Sequence, residues 1–197
     1  MKGRFGFGAL VLAFSGVAGG VFAAEPPPRV RIDTALGTIT VELNPAGAPA
    51  TAANFLRYVD GGFYSDGEFF RTVTEDNQPE DTVKIEVIQG AANSARRADG
   101  YPPIELERTS GSALSHVDGA ISMARSGPDT ATDSFFICVG DQPELDFGGR
   151  RNPDGQGFAV FGVVVEGMDV VRRIHNSPAG GQSLDPPIRI QQAIQIR

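Results

Sequence analysis

The sequence predicts a mainly β protein that folds as one barrel-like domain with two helices. Many short segments alternate apolar and polar residues, which is typical of strands with one buried face. The 197 residues include 25 Gly and 14 Pro, which suits a chain with many turns. Only two segments have apolar residues at the spacing of a helix. Many short strands with two helices favour a barrel.

The N-terminal residues have the pattern of a secretory signal peptide. Lys2 and Arg4 form a short basic start, residues 5–20 are apolar and small, and Ala23 is a small residue of the kind a signal peptidase reads. The alternative is an uncleaved anchor, but the apolar run is shorter than the roughly 20 residues that a membrane span needs. We therefore expect cleavage after Ala23 or Ala24 and a periplasmic or secreted protein that is not held at the membrane.

This signal peptide sets the other boundaries of the chain. It takes residues 1–23, residues 24–29 form a Pro-rich mobile lead-in, and residues 30–197 form a single domain. No repeat or linker divides that domain.

Charge and cysteine content exclude several classes of function. The formal charge of −7 argues against nucleic acid as a partner. Cys138 is the only cysteine, so no disulfide can form within the chain, and its apolar neighbours favour a small buried residue over a reactive thiol. With only His116 and His175 beside it, no metal-site spacing is present, and we expect neither metal nor cofactor.

Strands are predicted where apolar and polar residues alternate or where strand-forming residues run together. Turns between them contain Gly37, Gly127-Pro128 and Asn152-Pro153. The predicted strands are residues 30–34, 39–43, 69–73, 84–89, 121–124, 135–139, 159–165 and a closing strand through residues 188–196.

The two helices are predicted from the spacing of their apolar residues. Residues 50–60 have one apolar face and end at Gly61-Gly62. Residues 168–175 also have one apolar face, and Asp169 lies in the first turn, where a negative charge favours the helix dipole.

Phe135 and Phe136 are adjacent in a predicted strand, so their side chains point to opposite faces of the sheet. One interpretation is a strand buried on both faces. The other is that one of the two rings lines a groove.

Four sequence blocks resemble the motifs of one known family, in the family's order, from about residue 30 to about residue 174. The longest block, residues 122–137, reads S-M-A-x-x-G-P-x-T-x-x-x-x-F-F-I. Together the blocks are similar to the cyclophilin-type peptidyl-prolyl cis–trans isomerases. The three shorter blocks are Gly62-Phe63-Tyr64-Ser65-Asp66-Gly67 with Phe69-Phe70-Arg71, Val87-Ile88-Gln89-Gly90, and Val160-Phe161-Gly162 with Val165-Glu166-Gly167-Met168.

The resemblance implies a fold and an activity. The fold would be a closed antiparallel barrel of eight strands, capped by two helices, with a substrate groove on its outer surface. The activity would be isomerisation of X–Pro bonds in exported proteins, without a covalent intermediate or cofactor. The partners would be proline-containing polypeptides, and we expect a monomer.

The resemblance also assigns three catalytic residues. Arg71 would donate to the prolyl nitrogen, Gln89 would bind the substrate backbone, and Phe136 would form the floor of the proline pocket. Each has a structural alternative: a surface ion pair for Arg71, a loop-capping amide for Gln89, and core packing for Phe136.

Five further residues are implied to bind the substrate. Val87 and Leu145 would line the proline pocket, with Phe158 at a position where the family often has His. Ala124 and Arg125 would hold an extended substrate through main-chain groups.

Several features depart from the family's pattern. Glu144 stands where many members have Trp, and a negative charge at the pocket rim predicts a preference for basic residues near the proline. Residues 74–81 and 146–157 are longer than the corresponding loops of the family. Two alternatives to an enzyme therefore stay open: a non-catalytic module that binds proline peptides, and a chaperone domain that grips partners with these loops.

Overall fold

The computed structural model of the protein describes residues 2–3 and 26–196. The predicted signal peptide lies almost wholly outside the described residues, so its cleavage and the boundaries drawn from it stay predictions. No helix in the described ranges is long and apolar enough to cross a membrane.

Residues 26–196 form nine strands and two α-helices, joined by turns and short 3₁₀ segments. The strands are β1 (Arg29–Thr34), β2 (Gly37–Leu43), β3 (Gly67–Val73), β4 (Val87–Ala91), β5 (Ala120–Met123), β6 (Phe135–Cys138), β7 (Ala159–Glu166), β8 (Ala179–Gly180) and β9 (Ser183–Ile196), and the helices are α1 (Pro49–Asp60) and α2 (Met168–His175).

Eight of these strands close into an antiparallel barrel, as predicted. The hydrogen-bonded order is β1-β2-β7-β5-β6-β4-β3-β9, and β9 pairs back with β1. The short strand β8 adds only a two-residue pairing with β9. Closure leaves none of the eight strands with a free edge, which removes the usual site of edge-to-edge association.

The barrel interior is filled by apolar side chains that alternate with outward-facing ones along each strand. Ile32, Ile88 and Phe161 are among the fully buried residues of this interior cluster. The two predicted helices are confirmed and cap the barrel. Phe55 of α1 and Val171 of α2 belong to the same cluster, so both helices bury their apolar faces against the strand interior.

Strand β4 begins later than predicted. The sequence pattern starts at residue 84, but the structure begins the strand at Val87. The N–H of Ile85 instead donates to Oε1 of Gln78 at 3.2 Å, in the polar stretch that precedes the strand. The predicted strand residues 84–86 therefore belong to a loop.

Strand β6 is buried on both faces. Phe135 is fully buried in the barrel interior, where its ring lies 5.6 Å from Phe55 and 5.5 Å from Tyr64. Phe136 is 5% exposed and belongs to a second apolar cluster on the outside of the barrel. Cys138 joins this outer cluster, and burial, followed by nearby acidic groups, raises the pKa of its thiol well above the ordinary range. That environment fits an inert, apolar cysteine.

Helix α1 is capped by a carboxylate from a distant loop. The Ala48 side chain forms no cap, whereas Glu107 accepts hydrogen bonds from the N–H groups of Ala50 at 2.9 Å and Thr51 at 2.8 Å. The Thr51 hydroxyl donates to the same carboxylate at 2.6 Å. The negative charge also complements the positive end of the helix dipole.

Replacing Glu107 with alanine is expected to lower the free energy of unfolding by about 1–2 kcal/mol, because three donors lose their acceptor. Denaturant titration would measure the change. Glu105→Ala is the matched control, since that nearby side chain is exposed and such positions change stability by about 0.5 kcal/mol or less. Equal effects of the two substitutions would contradict the capping role.

Candidate active site

Strand register places the three predicted catalytic residues in one row. Arg71 of β3 is paired with Gln89 of β4, and Gln89 is paired with Phe136 of β6. Directly opposed residues of antiparallel neighbours have Cβ atoms about 4.5–5.5 Å apart and share a face of the sheet. Because Phe136 points out of the barrel, the row lies on its outer surface.

A cavity of about 220 Å³ lies over this row. It is smaller than the roughly 300–1,000 Å³ of sites for drug-sized ligands, which suits one small ring or side chain. All eight predicted site residues line it, together with three that the sequence did not single out. The lining residues are Arg71, Ile85, Val87, Gln89, Ala124, Arg125, Phe136, Leu145, Arg151, Asn152 and Phe158.

The Arg71 guanidinium is half-buried and held by neutral partners. Its Nη1 donates to Oε1 of Gln89 at 2.9 Å, and its Nε donates to Oε1 of Gln182 at 2.9 Å. Within residues 26–196 it forms no ion pair, so the alternative of a surface salt bridge is wrong. Burial, with a smaller contribution from the positive charge of Arg151, lowers the pKa of Arg71, although the group stays charged at neutral pH.

The Gln89 amide is oriented from both sides. Its oxygen accepts from Arg71, and its nitrogen donates to Oγ of Ser134 at 3.1 Å. Ser134 in turn donates to the carbonyl of Gly90 at 3.1 Å. One amide hydrogen of Gln89 is thereby left to reach a ligand in the cavity.

Gln182 is a site residue that the sequence analysis missed. Its side-chain oxygen accepts from both Nε and Nη2 of Arg71, and its amide nitrogen donates to the carbonyl of Asn77 at 3.2 Å. It lies 111 residues from Arg71 in the chain, and no motif around it marks this role. It fixes the direction in which the guanidinium points.

For the X–Pro isomerisation that the resemblance implies, replacing Gln182 with alanine is expected to lower kcat about tenfold with little change in KM, because Arg71 loses its support but the pocket keeps its shape. Separate kcat and KM values would measure the effect. Gln192→Ala is the matched control, because that exposed glutamine bonds only Asp33. An unchanged kcat would show that Gln182 is merely structural.

The aromatic floor of the cavity is supported from below by His116. Its ring stacks on Phe136 with centroids 5.8 Å apart and planes within 10°, while Phe158 meets Phe136 edge-on at 5.1 Å. Nδ1 of His116 is 2.7 Å from the Asp146 carboxylate, and Nε2 is 3.1 Å from the Ser122 hydroxyl. These contacts give His116 a structural role beneath the cavity floor.

Arg125 lines the cavity with its side chain, whereas the resemblance implied main-chain contacts for Arg125 and Ala124. The Arg125 side chain is only 3% exposed, forms two hydrogen bonds with Asp154 at 2.8 and 3.0 Å, and lies over the ring of Phe158 at 5.0 Å. The N–H of Ala124 already donates to the carbonyl of Ser134 at 2.9 Å. A substrate contact through that N–H is therefore blocked.

Glu144 does not line the cavity. Its carboxylate accepts from Nη2 of Arg150 at 2.8 Å, and this hydrogen bond lowers the pKa of Glu144. The expected preference for basic residues rested on a free negative charge at the rim, and the ion pair with Arg150 removes that basis.

The two long loops are fastened to the barrel and to each other. Gln78, 1% exposed, bonds Thr74 and Ile85, and so holds residues 74–81 in place. Arg151 of the second loop donates to the carbonyl of Val83 at 2.7 Å and lies 3.0 Å from the carboxylate of Asp81. These contacts join the loops beside the cavity.

A larger groove of about 660 Å³ lies elsewhere on the barrel. Pro26, Pro27 and Pro28 contribute to its wall, and Glu42 is the only charged residue among those that line it. It contains none of the predicted site residues and offers no cation to a ligand. We therefore take the smaller cavity as the candidate active site.

Comparison with known proteins agrees with this fold. The family model for "Cyclophilin type peptidyl-prolyl cis-trans isomerase/CLD" matches residues 29–195. Peptidyl-prolyl cis-trans isomerase A of Dickeya dadantii is 37% identical, over 78% of this chain and 74% of its own length. Peptidyl-prolyl cis-trans isomerase B of Escherichia coli is 34% identical, over 80% and 92%.

Solved structures with this fold include a cyclophilin-type isomerase of Cryptosporidium parvum. It superposes with a TM-score of 0.69 at 22% identity and covers 87% of this chain and 98% of its own. The family match spans the whole barrel, and the curated relatives are named as peptidyl-prolyl cis–trans isomerases. The chain belongs to the cyclophilin-type peptidyl-prolyl cis–trans isomerase family.

Proposed function

We propose that this protein accelerates the cis–trans isomerisation of X–Pro bonds in exported polypeptides at the cavity over Arg71, Gln89 and Phe136. The observation that carries the proposal is the row of these residues on paired strands beneath one small cavity. Export is inferred from the basic, apolar and small residues at the N-terminus.

The chemistry requires only rotation about an amide bond. Partial double-bond character gives a barrier of about 18–20 kcal/mol, so uncatalysed isomerisation takes tens to hundreds of seconds. No bond forms or breaks, which is why neither a covalent intermediate nor a cofactor is needed. In the twisted transition state the prolyl nitrogen loses resonance and becomes a better hydrogen-bond acceptor.

Arg71 supplies a donor that favours this twisted state. Held in place by Gln89 and Gln182, the guanidinium needs no reorganisation when the nitrogen becomes an acceptor. It stabilises the transition state more than the planar ground state, which is the condition for catalysis. The neutral partners leave its positive charge undiminished.

The apolar walls give the proline ring a place to bind. Phe136, Leu145, Val87 and Phe158 enclose the cavity on its apolar side. Burying a small ring against them contributes about 25 cal/mol for each Å² of apolar surface removed from water. Gln89 would then orient the substrate backbone by hydrogen bonding.

A protease-coupled assay on a peptide containing Ala-Pro tests the proposal. One of the related Cryptosporidium parvum structures was determined in the presence of the dipeptide Ala-Pro, so this is a reasonable first substrate. We expect conversion of the cis peptide to exceed the uncatalysed rate in proportion to enzyme concentration. Binding of the peptide without any gain in rate would contradict the proposal and favour a non-catalytic binding module.

Export has its own test. The full-length chain, expressed in a Gram-negative host, is expected in the periplasmic fraction with its mature N-terminus after residue 23 or 24. Recovery of the intact N-terminus from the cytoplasm would contradict export without affecting the isomerase proposal.

A further inference from the structure

The wall of the active-site cavity is cationic. Three arginines line it, Arg71, Arg125 and Arg151, and no Asp or Glu is among its lining residues. This local charge is opposite to the net charge of the whole chain, which is −7. The three arginines differ in how far their charges are already neutralised.

The charge of Arg125 is already paired, and each of its three guanidinium nitrogens donates a hydrogen bond. Its guanidinium is almost fully buried, paired through two nitrogens with Asp154, and also bonded to the carbonyl of Gly157. Its contribution is to hold the second long loop against the end of β5.

Arg151 has unused donors. Its side chain is 13% exposed, and only Nη1 is engaged, by the carbonyl of Val83 and the half-exposed carboxylate of Asp81. Across residues 26–196, Nε and Nη2 of Arg151 donate no hydrogen bond. These two nitrogens form the edge of a guanidinium that pairs with both oxygens of a carboxylate.

We propose that Arg151 forms an anion subsite beside Arg71 and that it selects X–Pro segments with an Asp or Glu adjacent to the proline. The inference rests on the proposed isomerase function and adds a substrate class to it. A carboxylate near the bound proline would meet the unused edge of Arg151. A Lys or Arg at the same place would face like charges from Arg71 and Arg151.

Arg151 is held in a fixed position at the point where the two long loops meet. Val83 and Asp81 both hold Nη1, so the guanidinium cannot swing away into solvent. A cation fixed in this way loses less side-chain freedom on binding than a mobile surface arginine would. We expect a preference of about three- to tenfold in kcat/KM, the range of a partly exposed, well-oriented ion pair.

The test uses peptides that differ only in the residue before or after the proline, with Glu, Gln or Lys at that place. For the wild-type protein we expect kcat/KM to fall in the order Glu, Gln, Lys, and the Glu-to-Gln ratio to shrink at high salt. The negative net charge of the protein predicts the reverse order, so a preference for the Glu peptide would indicate the local effect of Arg151. Equal rates on the Glu and Gln peptides would overturn the inference.

Two variants locate the preference. Arg151→Gln is expected to bring the Glu-to-Gln ratio close to one. Arg173→Gln, on helix α2, is expected to leave the ratio unchanged, because Arg173 is 52% exposed, pairs with Asp169 and does not line the cavity. A ratio that survives the loss of Arg151 would overturn the inference.

A third variant covers the case in which Arg151→Gln does not fold. Asp81→Asn removes the carboxylate that partly neutralises Arg151, and is expected to raise the Glu-to-Gln ratio. A ratio that stays the same or falls would contradict the subsite. The rate on the neutral Gln peptide separates the two proposals. If the protein does not accelerate isomerisation of this peptide, the isomerase function is refuted. If it accelerates the Gln and Glu peptides equally, only the subsite is refuted.

Discussion

Replacing Arg71 with alanine is expected to lower kcat/KM for X–Pro isomerisation by about 10²–10³, the cost of removing one preorganised donor from a transition state. Arg71 is the one positively charged residue in the row of Arg71, Gln89 and Phe136. Its partners Gln89 and Gln182 are neutral and cannot replace its charge. Arg71→Lys is expected to recover little, because a flexible ammonium cannot bond Gln89 and Gln182 together while facing the substrate.

The matched control for Arg71 is Arg150→Ala, which removes an exposed arginine outside the cavity. Arg150→Ala should unfold close to the wild-type denaturant midpoint, whereas Arg71→Ala is expected to lose about 1–2 kcal/mol because Gln89 and Gln182 lose their donor. Protease-coupled rates on an Ala-Pro peptide would measure the difference. Full activity of Arg71→Ala would place the catalytic site elsewhere on the barrel.

Replacing Phe135 with alanine is expected to cost about 3–5 kcal/mol of folding free energy, a large share of the roughly 5–15 kcal/mol that a domain has. The ring is fully buried and meets Phe55, Tyr64 and Phe69 edge-on at 5.5–5.6 Å. Its removal would leave a cavity in the centre of the barrel that these rigid rings cannot fill.

Phe136, the next residue in β6, provides the comparison for the Phe135 variant. Phe136→Leu keeps an apolar side chain in the outer cluster but removes the flat floor of the proline pocket. We expect it to unfold near the wild-type midpoint, with less than about 1.5 kcal/mol lost, and to show a raised KM for the peptide. Denaturant titration and steady-state kinetics on both variants would separate the roles. The same loss of stability in both would mean that Phe136 is only a core residue.

Strand alternation and short-range motifs were enough to predict most of the barrel. The hairpin of β1 and β2, both helices and the Phe135-Phe136 pair follow from periods of two or 3.6 residues, which depend on neighbours in sequence. Where a side chain from the preceding loop competed for the backbone, the prediction was wrong. Residues 84–86 have a strand pattern, but the buried amide of Gln78 takes the N–H of Ile85.

The candidate site likewise contains residues that the sequence predicted and residues that it did not. Arg71, Gln89 and Phe136 lie within recognisable motifs, and strand register brings them together. Gln182 and Arg151 reach the site from loops with no motif, so only the folded chain reveals them. The roles given to the eight predicted residues stay predictions until kinetics test them.

The pairing of β9 with β1 has a consequence for how the chain reaches its native state. These two strands, the first and last among the described residues, are hydrogen-bonded neighbours from Arg29 opposite Ile196 to Asp33 opposite Gln192, with a register shift before Thr34 opposite Ile190. Contacts between residues so far apart in sequence slow the search for the native topology, and a nascent chain lacks one side of the seam until β9 has been synthesised. The barrel is therefore expected to close only after β9 has been synthesised, and truncations within β9 are expected to yield insoluble product.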